Sequence, residues 1–133
     1  AYLFYVVRRV ILFREEHSRR VFVPKVDFIS TPGASPPNVY RPGGPVALIT
    51  PLCLFSFDRE HARFTLESIH EGHTLEEVLD NTGFEFDRPQ QIPTTAPPTP
   101  HDLSLMREII APKIADAYPS FARDMWGYEA EAA

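Results

Sequence analysis

A chain of 133 residues, 44% hydrophobic and 23% charged, has room for one globular domain whose core needs no staples. Thirteen basic against eighteen acidic residues leave a net charge of −5, which argues against a nucleic-acid footprint. The single cysteine excludes an internal disulfide and a cysteine-based zinc site and suits a reducing, cytoplasmic setting, while fourteen prolines against six glycines imply long extended connections.

The chain opens without a methionine, inside an apolar run (residues 1–7) that Arg8 and Arg9 interrupt before Val10. The run is far short of the ~20 residues that span a bilayer, so no membrane segment is expected. A signal peptide would carry its positive charges ahead of the apolar stretch. The run reads as a core strand or helix that starts upstream, and the expectation is a processed or truncated piece of a longer protein.

Residues 10–13 are a short apolar run and predict a strand. Residues 15–20 are charged and read as exposed. A second strand is expected over residues 26–29, after Pro24, which cannot donate to a sheet. Residues 30–45 hold five prolines and three glycines, so regular structure is nearly impossible there. A loop of that length is usually functional or a linker. Thr31, Pro32 and Gly33, following the expected strand, stand where open α/β sheets bind ligands; an ordinary turn is the simpler reading.

Residues 46–57 are apolar almost throughout, as in a strand covered on both faces, with Pro51 marking a bulge or the true strand start. A polar loop (58–62) then joins them, hairpin fashion, to residues 63–70. There Phe64 and Leu66 alternate with Arg63, Thr65 and Glu67, which suits a strand near the sheet edge. Thr74-Leu-Glu-Glu77 is a capping box opening a helix with Leu75, Val78 and Leu79 inward and Gly83 placed for a left-handed stop. Past a Pro-rich extended connection, Thr99-Pro-His-Asp102 opens a second helix with the stripe Leu103, Met106, Ile110 and Ile114. Pro112 should kink or split it. The residues from Met125 onward look frayed.

His70-Glu-Gly-His73 lacks the four-residue helical spacing of a zinc-protease pair, so solvated or capping histidines are the simpler reading. Cys53, in the middle of an apolar strand, reads as an inert core thiol. Glu15, Glu16, Glu76 and Glu108 suit solvated faces or caps. No nucleophile elbow, Walker loop or dinucleotide fingerprint is present, and the residues alone offer no catalytic constellation and no metal site.

The run Arg19-Arg-Val-Phe-Val-Pro-Lys-Val-Asp-Phe-Ile-Ser-Thr-Pro-Gly33 resembles a family I CoA-transferase β subunit of the glutaconate CoA-transferase type, where a basic pair precedes a "FVEKVDFVTSPG"-like segment. The likeness continues through Leu48-Ile-Thr-Pro-Leu-Cys-Leu-Phe-Ser-Phe-Asp58, Ser68-Ile-His-Glu-Gly-His-Thr-Leu-Glu-Glu-Val78 and Asn81-Thr-Gly-Phe-Glu-Phe86. Four blocks in order are far more specific than any one. They cover residues 8–120 and resemble the C-terminal half of such a subunit, so residues 1–133 are expected to be that half, incomplete without the upstream part.

The resemblance implies an α/β, CoA-transferase-like open sheet with a β-hairpin and two C-terminal helices. It also implies coenzyme A, as acyl-CoA substrate, and an α subunit together with the rest of the β subunit as partners. In such transferases a glutamate attacks the thioester and forms a glutamyl-CoA intermediate; its Ser-Glu-x-Gly-like motif and the glycine-rich oxyanion loop belong to the half that precedes this chain. No Ser-Glu dipeptide occurs here, and Gly43-Gly44 lies in the wrong block, so no catalytic residue is transferred. Glu71 stands where the family usually has proline and is not a nucleophile on that account. Some relatives resemble hydrolases that open a ring in steroid-derived acyl-CoA substrates, and the position that separates the two reactions lies upstream. A non-catalytic scaffold or interaction module is the further alternative. Thr31, Pro32 and Gly33 are expected to approach the acyl-CoA site.

Overall fold

β-branched and aromatic residues build a sheet close to where the sequence concentrates them. In the computed structural model, which describes residue 4 and residues 6–128, the chain divides into two compact units after Thr95. The first carries strands β1 (Val10–Phe13), β2 (Pro45–Ile49), β3 (Cys53–Asp58) and β4 (Arg63–Ile69). They form one mixed open sheet in the order β1-β2-β3-β4, with β1 parallel to β2 and the other pairs antiparallel. The apolar run at residues 1–7 falls mostly outside the described residues; Val6 and Val7 are exposed.

Two expectations about the strands change. Residues 46–57 are not one strand: the chain reverses at Thr50, Pro51 and Leu52, and β2 and β3 pair with each other. The Thr50 hydroxyl accepts from the amides of Leu52 (3.3 Å) and Cys53 (3.1 Å), and Pro51 has no amide to give a ladder, so the turn is stabilised locally. The strand expected at residues 26–29 does not form. Val26, Phe28 and Ile29 are exposed, Phe28 to 81%. The amides of Val21 and Phe22 turn back onto the Ser18 carbonyl, which sends Phe22 into the core and the following residues outward. The β3–β4 hairpin and the edge position of β4 are as expected.

Phe55, fully buried on β3, is the hub of the core. Rings of Phe86, Phe64 and Phe84 lie 5.1, 6.0 and 6.2 Å away, the first two edge-on and the third tilted. Beyond β4, residues 87–95 run extended beside the strand and are stitched to it. The amides of Leu66 and Ile69 donate to the carbonyls of Asp87 and Pro93, and those of Asp87 and Thr95 donate back to Phe64 and Ile69.

Helix α1 (Leu75–Asn81) starts at the capping box read from Thr74 and Glu77, and Val78 is fully buried. Leu79 is exposed, and the helix ends at Thr82 in extended conformation rather than at a left-handed Gly83. Gly83 serves another purpose. Its amide donates to the Phe22 carbonyl at 2.7 Å, and a Cβ there would collide with that same oxygen. Close backbone approach, not a cap, requires glycine.

The second unit is helical: α2 (Pro100–Leu105), a π-helical turn (Met106–Ile110), α3 (Ala111–Ala117) and α4 (Pro119–Trp126). Thr99 caps α2 with Asp102, as read from the sequence. Pro112 splits the expected helix: without an amide it cannot continue the ladder, and the backbone widens into the π turn just before it. Helix α4, not foreseen, ends at left-handed Gly127 (φ 63°) and packs Phe121 edge-on against Trp126. The fraying expected from Met125 onward does not begin there: Met125 and Trp126 belong to this helix, whose end is closed by the Gly127 amide on the Arg123 carbonyl; residues 129–133 lie outside those described. No helix among the described residues is long and apolar enough to cross a membrane.

Candidate functional site

The first unit contains two polar constructions, one on the 30–45 loop and one in the core. Thr31, Pro32 and Gly33 are half-buried at the start of the loop. Gly33 lies against the Phe57 ring of β3; a Cβ would meet its Cζ at 2.9 Å and Pro45 at 3.5 Å. At the loop's other end Gly44 has φ +150°, and a Cβ on it would stand 3.2 Å from Arg59 Nε and 3.5 Å from the Gly33 carbonyl. Gly33, Gly44 and Arg59 thus form one close contact that side chains would fill.

Arg59, from the β3–β4 loop, clamps this segment. Its Nη1 donates to the Pro42 carbonyl (3.1 Å) and its Nη2 to the Arg41 carbonyl (2.8 Å), while its Nε is buried without a hydrogen-bond partner. Arg41 reaches across the loop to the Ser35 hydroxyl at 3.4 Å. Between residues 34–41 and Arg59 and Glu60 lies an open cavity of about 500 Å³. From sequence alone Arg59 belongs to a plain hairpin loop. The only signal for it is an arginine set beside a loop rich in carbonyls and poor in amides.

The second construction centres on His17. Its Nδ1 lies 2.8 Å from the Thr50 hydroxyl and its Nε2 2.9 Å from the Thr82 hydroxyl. Thr82 spends its own proton on the Val78 carbonyl at 2.7 Å, so Nε2 carries a hydrogen and Nδ1 accepts from Thr50. Phe22 packs edge-on against the imidazole at 4.6 Å, and burial pushes the His17 pKa down, favouring this neutral form. Cys53 Sγ is 4.0 Å from Nδ1, yet burial raises the thiol to about 11 and no solvent reaches it. The pair is structural and offers no thiolate nucleophile. The sequence reads His17 as exposed; the missed signal is Thr50, a hydroxyl in an apolar run that must find a partner once buried.

His70 and His73 hold loops in place. His70 donates from Nε2 to the Thr50 carbonyl (3.0 Å) and takes the Thr95 hydroxyl on Nδ1 (2.8 Å). His73 pairs with Glu77 at 3.1 Å, within the capping box. Among the described residues no group of histidine, cysteine and acidic side chains is arranged to hold a metal ion.

The architecture is that of an α/β CoA-transferase sheet. Glutaconate CoA-transferase from Acidaminococcus fermentans superposes with a TM-score of 0.61 at 29% identity, over 79% of this chain and 42% of that one. The crystal structure of Rhodococcus jostii IpdAB gives 0.67 at 31%, over 75% and 42%. In sequence, the chain is 35% identical to the β subunit of 3-oxoadipate CoA-transferase from Pseudomonas knackmussii over 108 residues, 77% of this chain. It is 33% identical to the cholesterol ring-cleaving hydrolase IpdB subunit of R. jostii over 102 residues. No protein-family model matches. Over about three-quarters of its length the chain is homologous to CoA-transferase β subunits, and it spans about two-fifths of the length of the curated relatives it matches.

Proposed function

We propose that residues 1–133 form the C-terminal part of the β subunit of a heteromeric, cytoplasmic enzyme acting on acyl-CoA. In this reading CoA passes between an acyl-CoA and a carboxylic acid through a glutamyl-CoA thioester on a residue outside this chain. The observation that carries it is the 35% identity to a CoA-transferase β subunit, on a sheet of the same architecture. The local chemistry agrees: the one thiol is buried and protonated, and His17 and His70 are spent on hydrogen bonds within the fold, so this chain is read as positioning rather than reacting. Its partners in the proposal are an α subunit and the remainder of the β subunit. A second reading, ring-opening hydrolysis of an acyl-CoA, draws support from the likeness to IpdAB, whose TM-score of 0.67 exceeds the 0.61 of the transferase.

The test is to supply the purified assembly with an acyl-CoA, with and without an acceptor carboxylate. Transfer makes a new acyl-CoA only when the acceptor is present. Ring opening makes an acyl-CoA heavier by one water, thioester intact, without any acceptor; that product would overturn the transferase reading.

Thr31, Pro32 and Gly33 remain the residues proposed to approach the substrate. The strand expected before them is absent, so their support is now the contact of Gly33 with Gly44 and Phe57. Gly33→Val presses on the far end of the Phe57 ring, which can tilt away, so turnover should fall more than the melting temperature does. Equal loss of both would remove these residues from the site.

A further inference from the structure

We propose that Arg59 is a positioning residue: its guanidinium sets the shape of the loop over residues 33–44 and thereby the placement of Thr31, Pro32 and Gly33. The link from those three residues to a substrate rests on the acyl-CoA reading above; the loop-shaping role rests on geometry alone. The sequence leaves this loop short of its own donors. Pro36, Pro37 and Pro42 have no amide, so carbonyls outnumber amides along it. The Val39 amide bonds back to the Pro36 carbonyl at 2.9 Å, and the Gly44 amide reaches the Val7 carbonyl at 3.3 Å. The carbonyls of Arg41 and Pro42 find donors outside the loop, in Arg59 Nη2 at 2.8 Å and Nη1 at 3.1 Å. A planar fork meets two successive carbonyls at once, which the ammonium of a lysine does not.

The turn that carries Arg59 is held tightly enough to aim it. Asp58 Oδ1 accepts from the amides of Glu60 (2.8 Å) and His61 (3.2 Å), and Oδ2 holds the His61 ring at 2.6 Å. Ala62 closes the turn at φ 53°, a left-handed conformation that is strained for any residue but glycine. Arg59 itself carries a second strain: Nε is buried with no acceptor while both Nη groups are bonded to the loop. Phe57, on the same hairpin, packs against Gly33, and the Gly33 carbonyl lies 3.5 Å from where a Gly44 Cβ would stand. One hairpin therefore grips the loop at both ends, Phe57 at Gly33 and Arg59 at Arg41, Pro42 and Gly44. Compact loops with their ends close together are frequently functional. Releasing the Arg59 end frees Gly44, and with it the packing that holds Gly33 beside Thr31 and Pro32.

The experiment compares the parent, Arg59→Lys and Arg59→Met, each in the assembly the chain purifies with, by amide hydrogen exchange over residues 33–44 and by acyl-CoA kinetics. Arg59 lies at a hairpin tip and belongs to no part of the hydrophobic core, so both variants should fold. In Arg59→Met the Val39 and Gly44 amides should exchange about tenfold faster, and kcat/KM should fall about tenfold, most of it through KM. Arg59→Lys keeps the charge without the fork and should fall between Arg59→Met and the parent in both readouts. An arginine that only stabilises the fold would lower the melting temperature and leave KM and kcat at the parent's values; that result overturns the positioning role while the enzymatic reading stands. Loop exchange unchanged in both variants, or Arg59→Lys indistinguishable from the parent, overturns the proposal as well. If the loop loosens as described but even the parent never processes acyl-CoA, the loop-shaping role stands and the enzymatic reading fails.

Discussion

His17 joins three segments far apart in sequence through two hydrogen bonds to buried threonines. Its removal should cost about 2–3 kcal/mol, from two lost bonds and the space left against Phe22. Thr50 and Thr82 limit the damage, since each hydroxyl has a carbonyl within reach: Cys53 at 3.1 Å and Val78 at 2.7 Å. The same geometry makes stability depend on pH. Burial holds His17 below its ordinary 6.5 in the fold, so the unfolded chain takes up a proton first. The stabilisation is therefore complete above pH ~6.5 and is lost as pH falls through the lowered folded value.

Other ionisable groups near His17 do not change that sign. The Cys53 thiol stays neutral, and Glu16 is engaged with Ser18 and Arg20. His61, raised by Asp58, works the other way, but that pair is exposed and contributes little. Denaturant titrations at about pH 7.5 and about pH 5.5, values bracketing an ordinary histidine, should show the acid-side loss in the parent chain and a smaller one in His17→Gln. Equal losses in the two chains would show that His17 is not the titrating group.

At the scale of elements, what the sequence revealed was what local chemistry decides. Thr74-Leu-Glu-Glu77 and Thr99-Pro-His-Asp102 carry their caps within four residues, and both helices begin where those signals stand. Pro112 likewise divides a helix by lacking its own amide. The strand expected at residues 26–29 had the right composition, but Ser18 turns the chain before it and the place beside β2 is taken by β1. Gly83 shows the same limit. Its neighbours suggested a helix stop, while the carbonyl that requires a glycine belongs to Phe22, sixty-one residues earlier. Gly83→Ala should therefore destabilise the first unit by more than the ~1 kcal/mol of an ordinary glycine substitution and should break the 2.7 Å bond to Phe22. A melting temperature equal to the parent's would contradict this role for Gly83. The loop site was half legible: composition marked residues 30–45, but only folding brings Arg59 under them, 17 residues past Pro42.

For the whole molecule, the edge that looks incomplete is β1. It pairs with β2 alone among the described strands, and Ile11 and Phe13 are 60% and 64% exposed. Parallel strands are ordinarily buried on both faces, so this apolar edge suits a neighbour from the remainder of a larger subunit. The central claim is that this chain works as one part of a heteromeric enzyme, with the reactive groups elsewhere. Native mass spectrometry, paired with denatured intact masses of the same sample, tests that most directly. The expected result is a complex in which heavier chains accompany the 15.1 kDa species. A 15.1 kDa chain that runs alone, folded and soluble, would contradict the claim and leave the fold without the enzyme.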